Sequence, residues 1–327
     1  MKTGIMIGKF MPLHIGHSYC IEYGVYNFDK MTVYIDDFDE SPYDLYISLD
    51  DRYTIIKKEF PSANIVKAEN KNPQSPDEDI NFWQIWRDII IKANGGIPDC
   101  IIGSEKYIIK LAEVVECDYK MIDIKRDKFD ISATMVRNNW IDNWSMLPES
   151  TKKFFQKKIA IIGPESTGKT TITNKISKLY NVTPVEEFAM SYLQSFEGEL
   201  KEEDFRNIYI GQKENIIDKA NEKIIISDTD AITTNIWSKK ILGSYDENLF
   251  KKYNFDFDLY ILMNLNEYDF KNIKGRFFDD LEIQKWFFNE FINELKKRNK
   301  KYIIVEGNTW EEKESFIKNV INKELLF

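Results

Sequence analysis

Twice in this 327-residue chain a short apolar run breaks into a glycine-punctuated turn and then enters a periodic helix. In the first instance Ile5-Met6-Ile7 reads as a buried strand, Gly8 and Pro12 end it, and residues 17–28 read as a helix. In the second, Lys158–Ile162 reads as a strand, the turn runs Gly163-Pro-Glu-Ser-Thr-Gly-Lys-Thr170, and the helix continues to about Tyr180. A helix start of this kind carries unpaired N–H groups and a dipole that favour an anion. Met31–Ile35, Asn64–Ala68, Cys100–Gly103 and Tyr119–Ile124 read as further strands. Ser48–Phe60, with Ser48 as its N-cap, Asn81–Ala93 and the stretch opening at Ile131 read as helices, and Glu69–Asp79 as a polar loop. Such alternation predicts a parallel, doubly wound α/β sheet with ligands at the C-terminal ends of its strands.

The second half repeats the pattern. Lys223–Asp228, Tyr260–Met263 and Tyr302–Val305 supply strands for another parallel sheet, and Asn181–Val185 leads to Glu186-Glu187 beside the turn. Two domains are expected, 1–148 and 149–327, joined by a short helix after Pro148. With 54 acidic against 45 basic side chains, a net charge of −9 speaks against a general nucleic-acid binder. Three dispersed cysteines (Cys20, Cys100, Cys117) form no disulfide or metal pattern. The start is too short and too glycine-interrupted for a signal peptide, and no apolar run approaches a membrane span. A cytoplasmic location, without membrane insertion or DNA binding, is the expectation. A homo-oligomer is compatible with the sequence.

Both histidines of the chain, His14 and His17, fall in the first turn, three residues apart and so on one side of a helix start. The second turn fits G-x-x-x-x-G-K-[ST] without a mismatch, in the strand–loop–helix context that motif requires. Backbone N–H groups from Gly163 to Gly168 would wrap phosphates, Lys169 would bridge the β and γ groups, and the Thr170 hydroxyl would hold Mg²⁺. Asp228, at the end of an apolar strand, is the nearer candidate to share that ion, with Asp230 second. A carboxylate at Glu187 is suitably placed to take a proton from a sugar hydroxyl.

The first turn resembles the extended G-x-F-x-P-x-H-x-G-H signature of the nucleotidyltransferase superfamily, and Ile131-Ser-Ala-Thr-Met-Val-Arg137 resembles its I-S-x-T-x-x-R signature. The resemblance implies that Gly8, Lys9, Phe10, His14, His17, Ser132, Thr134 and Arg137 hold ATP, with the imidazoles and Arg137 stabilising charge during in-line attack. Asn81-Phe82-Trp83-Gln84 stands where NadR-type members carry N-G-W-Q, which implies that Asn81 and Trp83 bind nicotinamide mononucleotide (NMN). Asp123 and Arg126 stand at a D-P-x-R position, with Arg126 a candidate phosphate contact. Asp228-Thr-Asp-Ala-Ile-Thr-Thr234 and Leu147–Phe155 extend the likeness to the second half. As a whole the chain resembles the bifunctional family of NMN adenylyltransferase/ribosylnicotinamide kinases. That implies a Rossmann-like nucleotidyltransferase domain followed by a P-loop kinase domain, acting on nicotinamide riboside, NMN, NAD and ATP with Mg²⁺. Glu165, Ser166, Thr167, Gly168, Lys169, Thr170, Thr171 and Arg276 would bind the second ATP. The helix-turn-helix repressor domain of some members has no counterpart before the first strand, so repression is not expected. Two departures mark the second half: Met190 replaces an arginine of E-[YF]-[AG]-R, and Asn272-Ile-Lys-Gly-Arg276 lacks the aspartate of D-G-x-R. They keep open a second expectation, an adenylyltransferase with a regulatory, nucleotide-binding C-terminal domain. A transferase for another acceptor, such as phosphopantetheine or a pyridine acid nucleotide, is the further alternative.

Overall fold

The computed structural model describes residues 1–38, 45–124, 127–194, 196–265, 277–278 and 280–326. The chain divides into two compact units, Met1–Phe155 and Gln156–Phe327.

In the first unit five parallel strands lie in the order β3-β2-β1-β4-β5. They are β1 (Thr3–Gly8), β2 (Lys30–Ile35), β3 (Asn64–Lys67), β4 (Cys100–Gly103) and β5 (Asp118–Met121). Residues 4–7 of β1 are all buried, because a central parallel strand is covered on both faces and reads as an unbroken apolar run. The helices are α1 (Ile15–Asn27), α2 (Leu49–Glu59), α3 (Phe82–Asn94), α4 (Tyr107–Val115), α5 (Ala133–Asn138) and α6 (Glu149–Phe155). Since β1 pairs with β2 on one side and β4 on the other, strand order reverses beside it, which is where ligands of open α/β sheets bind.

Some boundaries differ from the sequence reading. Helix α1 begins at Ile15, with His14 in extended backbone at its N-cap, so His17 belongs to its first turn. Strand β5 stops at Met121, because Asp123 takes a positive φ and its carboxylate accepts the N–H groups of Lys128 and Phe129 at 3.1 Å each. The unit boundary follows residue 155, not 148, because α6 is fastened to the first unit. Thr151 Oγ1 donates to the Leu13 carbonyl at 3.1 Å, Ser150 N donates to the Glu59 carboxylate at 2.9 Å, and Phe155 stacks on Trp140 at 5.3 Å.

The second unit holds four parallel strands in the order β7-β6-β8-β9: β6 (Lys157–Ile162), β7 (Ile224–Asp228), β8 (Leu259–Leu262) and β9 (Tyr302–Ile304). Val185 bridges to Ser227 of β7. Seven α-helices are described: α7 (Lys169–Tyr180), α8 (Phe188–Gln194), α9 (Glu202–Ile217), α10 (Ala231–Leu242), α11 (Glu247–Tyr253), α12 (Leu281–Lys297) and α13 (Trp310–Ile321). Ile162, Ile225, Tyr260, Leu262, Phe287, Phe291 and Leu295 form part of its core. Both units are thus α/β with all-parallel sheets, the first Rossmann-like and the second built on a P-loop. Among the described residues no helix is long and apolar enough to cross a membrane.

Candidate functional site

Each unit has its own cavity at a strand-to-helix junction. In the first, a cavity of about 510 Å³ is lined by Gly8, Lys9, Phe10, His17, Trp83, Arg137 and neighbouring residues. The two imidazoles are stacked, with ring centroids 3.7 Å apart and planes at 24°, and Phe10 meets His17 edge-on at 5.1 Å. His17 lines the cavity, whereas His14 is buried behind it at 5% exposure. Gly16 makes this possible: a Cβ there would lie 3.1 Å from the His14 ring. Arg137 Nη1 donates to the Met11 carbonyl at 2.6 Å and Nη2 to Thr134 Oγ1 at 2.8 Å, so the guanidinium is aimed by the turn it serves.

Several residues expected to contact ligand make structural contacts of their own. Ser132 caps α5, its Oγ accepting from Met135 N at 3.2 Å, and neither Ser132 nor Thr134 lines the cavity; Ala133 and Arg137 do. Asn81 is exposed at the start of α3 and does not line the cavity, because the helix presents Phe82, Trp83 and Trp86 there instead. Trp83 packs against the core and also lines the cavity. Arg126 lies outside the described residues.

Three contributors had not been singled out as site residues. Asp36, one residue past β2, is 3% exposed and accepts Asn72 Nδ2 and Gln74 Nε2 at 2.8 Å each. Burial pushes its carboxyl pKa up, against the pull of those two amides and Lys9. Arg52 is 1% exposed and spends its donors on carbonyls, Nε on Ile47 at 3.0 Å and Nη1 on Lys9 and Asp36 at 2.8 and 2.7 Å. It therefore pins the chain after β1 to the chain after β2. Tyr107 donates to the Ile7 carbonyl at 3.2 Å. Position at a strand's C-terminal end was the available signal for Asp36; nothing local distinguishes Arg52 from a surface arginine.

The second cavity, about 1060 Å³, is lined by every residue from Glu165 to Thr171, by Glu187, Met190 and Gln212, and by Trp237, Phe277 and Trp310. Gly163 ends the strand side of the turn. Gly168 sits at φ +86°, a conformation that glycine adopts freely, and opens α7 as its N-cap. Lys169 Nζ donates to the Pro164 carbonyl at 3.1 Å, folding its ammonium back over the loop. Glu165 accepts the Phe277 N–H with both oxygens at 3.0 Å. Glu187 lines the cavity while Glu186 is exposed. Burial pushes the Glu187 carboxyl up, Lys169 pulls it down, and Asp228 and Glu165 add to the rise. Gln212 braces this side, accepting from Phe188 N at 2.8 Å and donating to the Asp228 carbonyl at 3.2 Å. Arg276 and the segment Asn272–Arg276 lie outside the described residues.

Thr170 Oγ1 donates to Asp228 Oδ2 at 2.5 Å, and Asp228 Oδ1 is buried with no hydrogen-bond partner among the described residues. A hydroxyl beside a carboxylate with spare acceptor capacity fits Mg²⁺, which completes its shell with water and substrate phosphate. Asp230, the second candidate, is engaged through one oxygen. Its Oδ1 accepts the N–H groups of Ile232 and Thr233 at 3.1 and 3.2 Å as the N-cap of α10, and the residue is 1% exposed. Among the described residues no group of three or more His, Cys, Asp or Glu side chains could hold a metal.

Comparison with known proteins agrees with this architecture. A family described as AAA domain matches residues 158–313. The trifunctional NAD biosynthesis/regulator protein NadR of Escherichia coli (strain K12) is 28% identical over 333 residues, spanning 94% of this chain and 80% of that protein. Its namesake from Salmonella typhimurium (strain LT2) is 29% identical over 287 residues, spanning 81% and 69%. A crystal structure of NadR protein in complex with NR superposes with a TM-score of 0.60 at 21% identity, covering 99% of this chain and 96% of that one. Another, in complex with NAD and AMP-PNP, gives 0.58 at 21% identity with the same coverage. In sequence over most of its length, and in fold, this chain is similar to the NadR proteins.

Proposed function

We propose that the chain carries out two consecutive steps of NAD biosynthesis. The second unit phosphorylates the 5′-hydroxyl of nicotinamide riboside with ATP, and the first transfers the adenylyl group of another ATP to the resulting NMN. The observation that carries the reading is the presence of two separate cavities, each at the C-terminal end of a central strand, each joining phosphate-binding groups to an aromatic side chain.

In the first unit an NMN phosphate oxygen attacks the α-phosphorus of ATP, and pyrophosphate leaves. No covalent enzyme intermediate is needed; the work is positioning and charge stabilisation. His17 and Arg137 meet the triphosphate, His14 holds the His17 ring, and Trp83 offers a stacking face to the pyridine ring. In the second unit the riboside hydroxyl attacks the γ-phosphorus, its proton passes to Glu187, and ADP leaves. Lys169 and the N–H groups of residues 165–170 hold the β and γ groups. Thr170 and Asp228 would hold Mg²⁺, which would supply positive charge against the phosphate oxygens.

Met190, 69% exposed at the cavity wall, favours the second reading, in which the second unit binds nucleotide and regulates without turnover. One assay separates the cases. With ATP and Mg²⁺, NAD is expected from both nicotinamide riboside and NMN. NAD from NMN alone defeats the kinase assignment and leaves the transferase; NAD from neither defeats the transferase and leaves the kinase to the ADP readout. ADP formation dependent on the riboside, abolished in Lys169→Ala, excludes the purely regulatory reading.

A further inference from the structure

We propose that Trp310 is the platform on which the base of the second unit's nucleotide donor stacks, so that the donor is held at both ends: triphosphate by the P-loop, ring by the indole. This rests on the reading of the second unit as an ATP-binding kinase. Sheet order assigns the sides. Across the sheet run Val185, β7, β6, β8 and β9. Glu187 leaves the Val185 edge, Asp228 ends β7, the P-loop leaves β6, and α13 follows β9 at the far edge. In-line transfer places the attacking and leaving oxygens on opposite sides of the γ-phosphorus. With both carboxylates on the β7 side, the acceptor belongs there and the body of the donor extends toward β9.

Trp310 waits on that side. Its ring rests on the second glycine of the P-loop: a Cβ on Gly168 would collide with the indole, lying 2.8 Å from Cζ3. The side chain is firmly mounted as the first residue of α13. Thr309 Oγ1 accepts Glu312 N at 3.2 Å, the Glu312 carboxylate accepts Asn308 N at 2.8 Å, and Lys175 pairs with Glu314 at 3.0 Å, tying α7 to α13. The Lys313 ammonium lies over the indole, 5.1 Å from its centroid, a cation on one side of the ring. Yet Trp310 keeps 39% of its surface exposed and lines the cavity. A rigidly mounted indole left open beside a phosphate cradle suits a flat heteroaromatic ring, and stacking of this kind tolerates any base because each has a π face.

The test measures ATP and inorganic tripolyphosphate binding to the full chain by calorimetry, with Lys169→Ala identifying the second unit's share. Trp310→Ala is expected to weaken Lys169-dependent ATP binding by about ten- to a hundredfold, the range for loss of one base–aromatic stack. Tripolyphosphate binding stays unchanged, and Trp310→Phe recovers most of the ATP affinity. Equal losses for ATP and tripolyphosphate would show that the indole only props the P-loop, and undiminished ATP binding would show that it does neither; each overturns the proposal. If the ATP-specific loss appears but nicotinamide riboside is never phosphorylated, the kinase reading fails and the base platform stands.

Discussion

On the proposed function, the two strand-to-helix junctions solve one problem, gripping a phosphate chain at a helix start, with different materials. At the β6–α7 junction the loop itself is the ligand: main-chain N–H groups between Gly163 and Thr170 with one lysine. At the β1–α1 junction side chains line the cavity, His17 from the helix and Arg137 from a helix more than a hundred residues later. A backbone grip needs little beyond glycines in the right conformation. A side-chain grip needs scaffolding, and the first unit has it: His14 stacked behind His17, Thr134 and the Met11 carbonyl on Arg137, and buried Arg52 tying two loops together. On that reading the first site depends more on residues that do not line its cavity.

Reciprocal inactivation is the sharpest way to break this comparison. Lys169→Ala should lower riboside phosphorylation by about 10³-fold, at the upper end for loss of one transition-state donor, while NMN adenylylation is untouched. His17→Ala should lower adenylylation by about 10²-fold or more and spare phosphorylation. Separate progress curves for ADP and pyrophosphate check both. Cross-effects would mean that the units do not work independently.

Scaffolding is tested by stability. Arg52→Met removes the donor for the Ile47, Lys9 and Asp36 carbonyls in a buried setting, an expected loss of about 2–4 kcal/mol confined to the first unit's unfolding transition in urea. A loss no larger than that of an exposed arginine would remove the argument that the side-chain grip rests on buried support. Trp83→Ala is expected to raise the NMN KM roughly tenfold, the worth of a modest stacking contact, with the ATP KM little changed.

Legibility in the sequence followed locality. Ile5–Ile7, the P-loop and Asp228 were readable because strand period, turn glycines and helix start lie within one short stretch. Helix α4 was missed although Ile108, Leu111, Ala112 and Val115 mark its buried face. Asp230 shows the harder limit. An acid after a strand looks the same whether it faces the phosphates or turns back to cap the next helix, and here α10 begins at once and takes one oxygen of the carboxylate. Arg52, Asp36 and Trp310 owe their places to contacts with loops distant in sequence, which no local pattern encodes. Asn81 lies outside the cavity lining because a helix start presents only some of its residues to one side.

The smallest expected effect concerns the carboxylate of the backbone-grip site. Burial raises the folded pKa of Glu187 above its ordinary 4.5, with Lys169 opposing. Between those two values the folded chain holds a proton that the unfolded chain has released, so stability falls as pH rises through that window. Below the ordinary value both states are protonated, and the group adds no pH dependence. Glu187→Gln cannot ionise and escapes the loss. The variant should therefore be slightly more stable than the wild type at pH 7–8 and no more stable near pH 4, while phosphorylating the riboside far more slowly at every pH. The wild-type rate should climb on its acidic side through the raised pKa rather than near 4.5. Thermal unfolding across pH, with rates on the same preparations, checks both halves. A variant less stable at neutral pH would mean that attraction to Lys169 outweighs burial, and the second site would then be held together by charge as well as by its backbone.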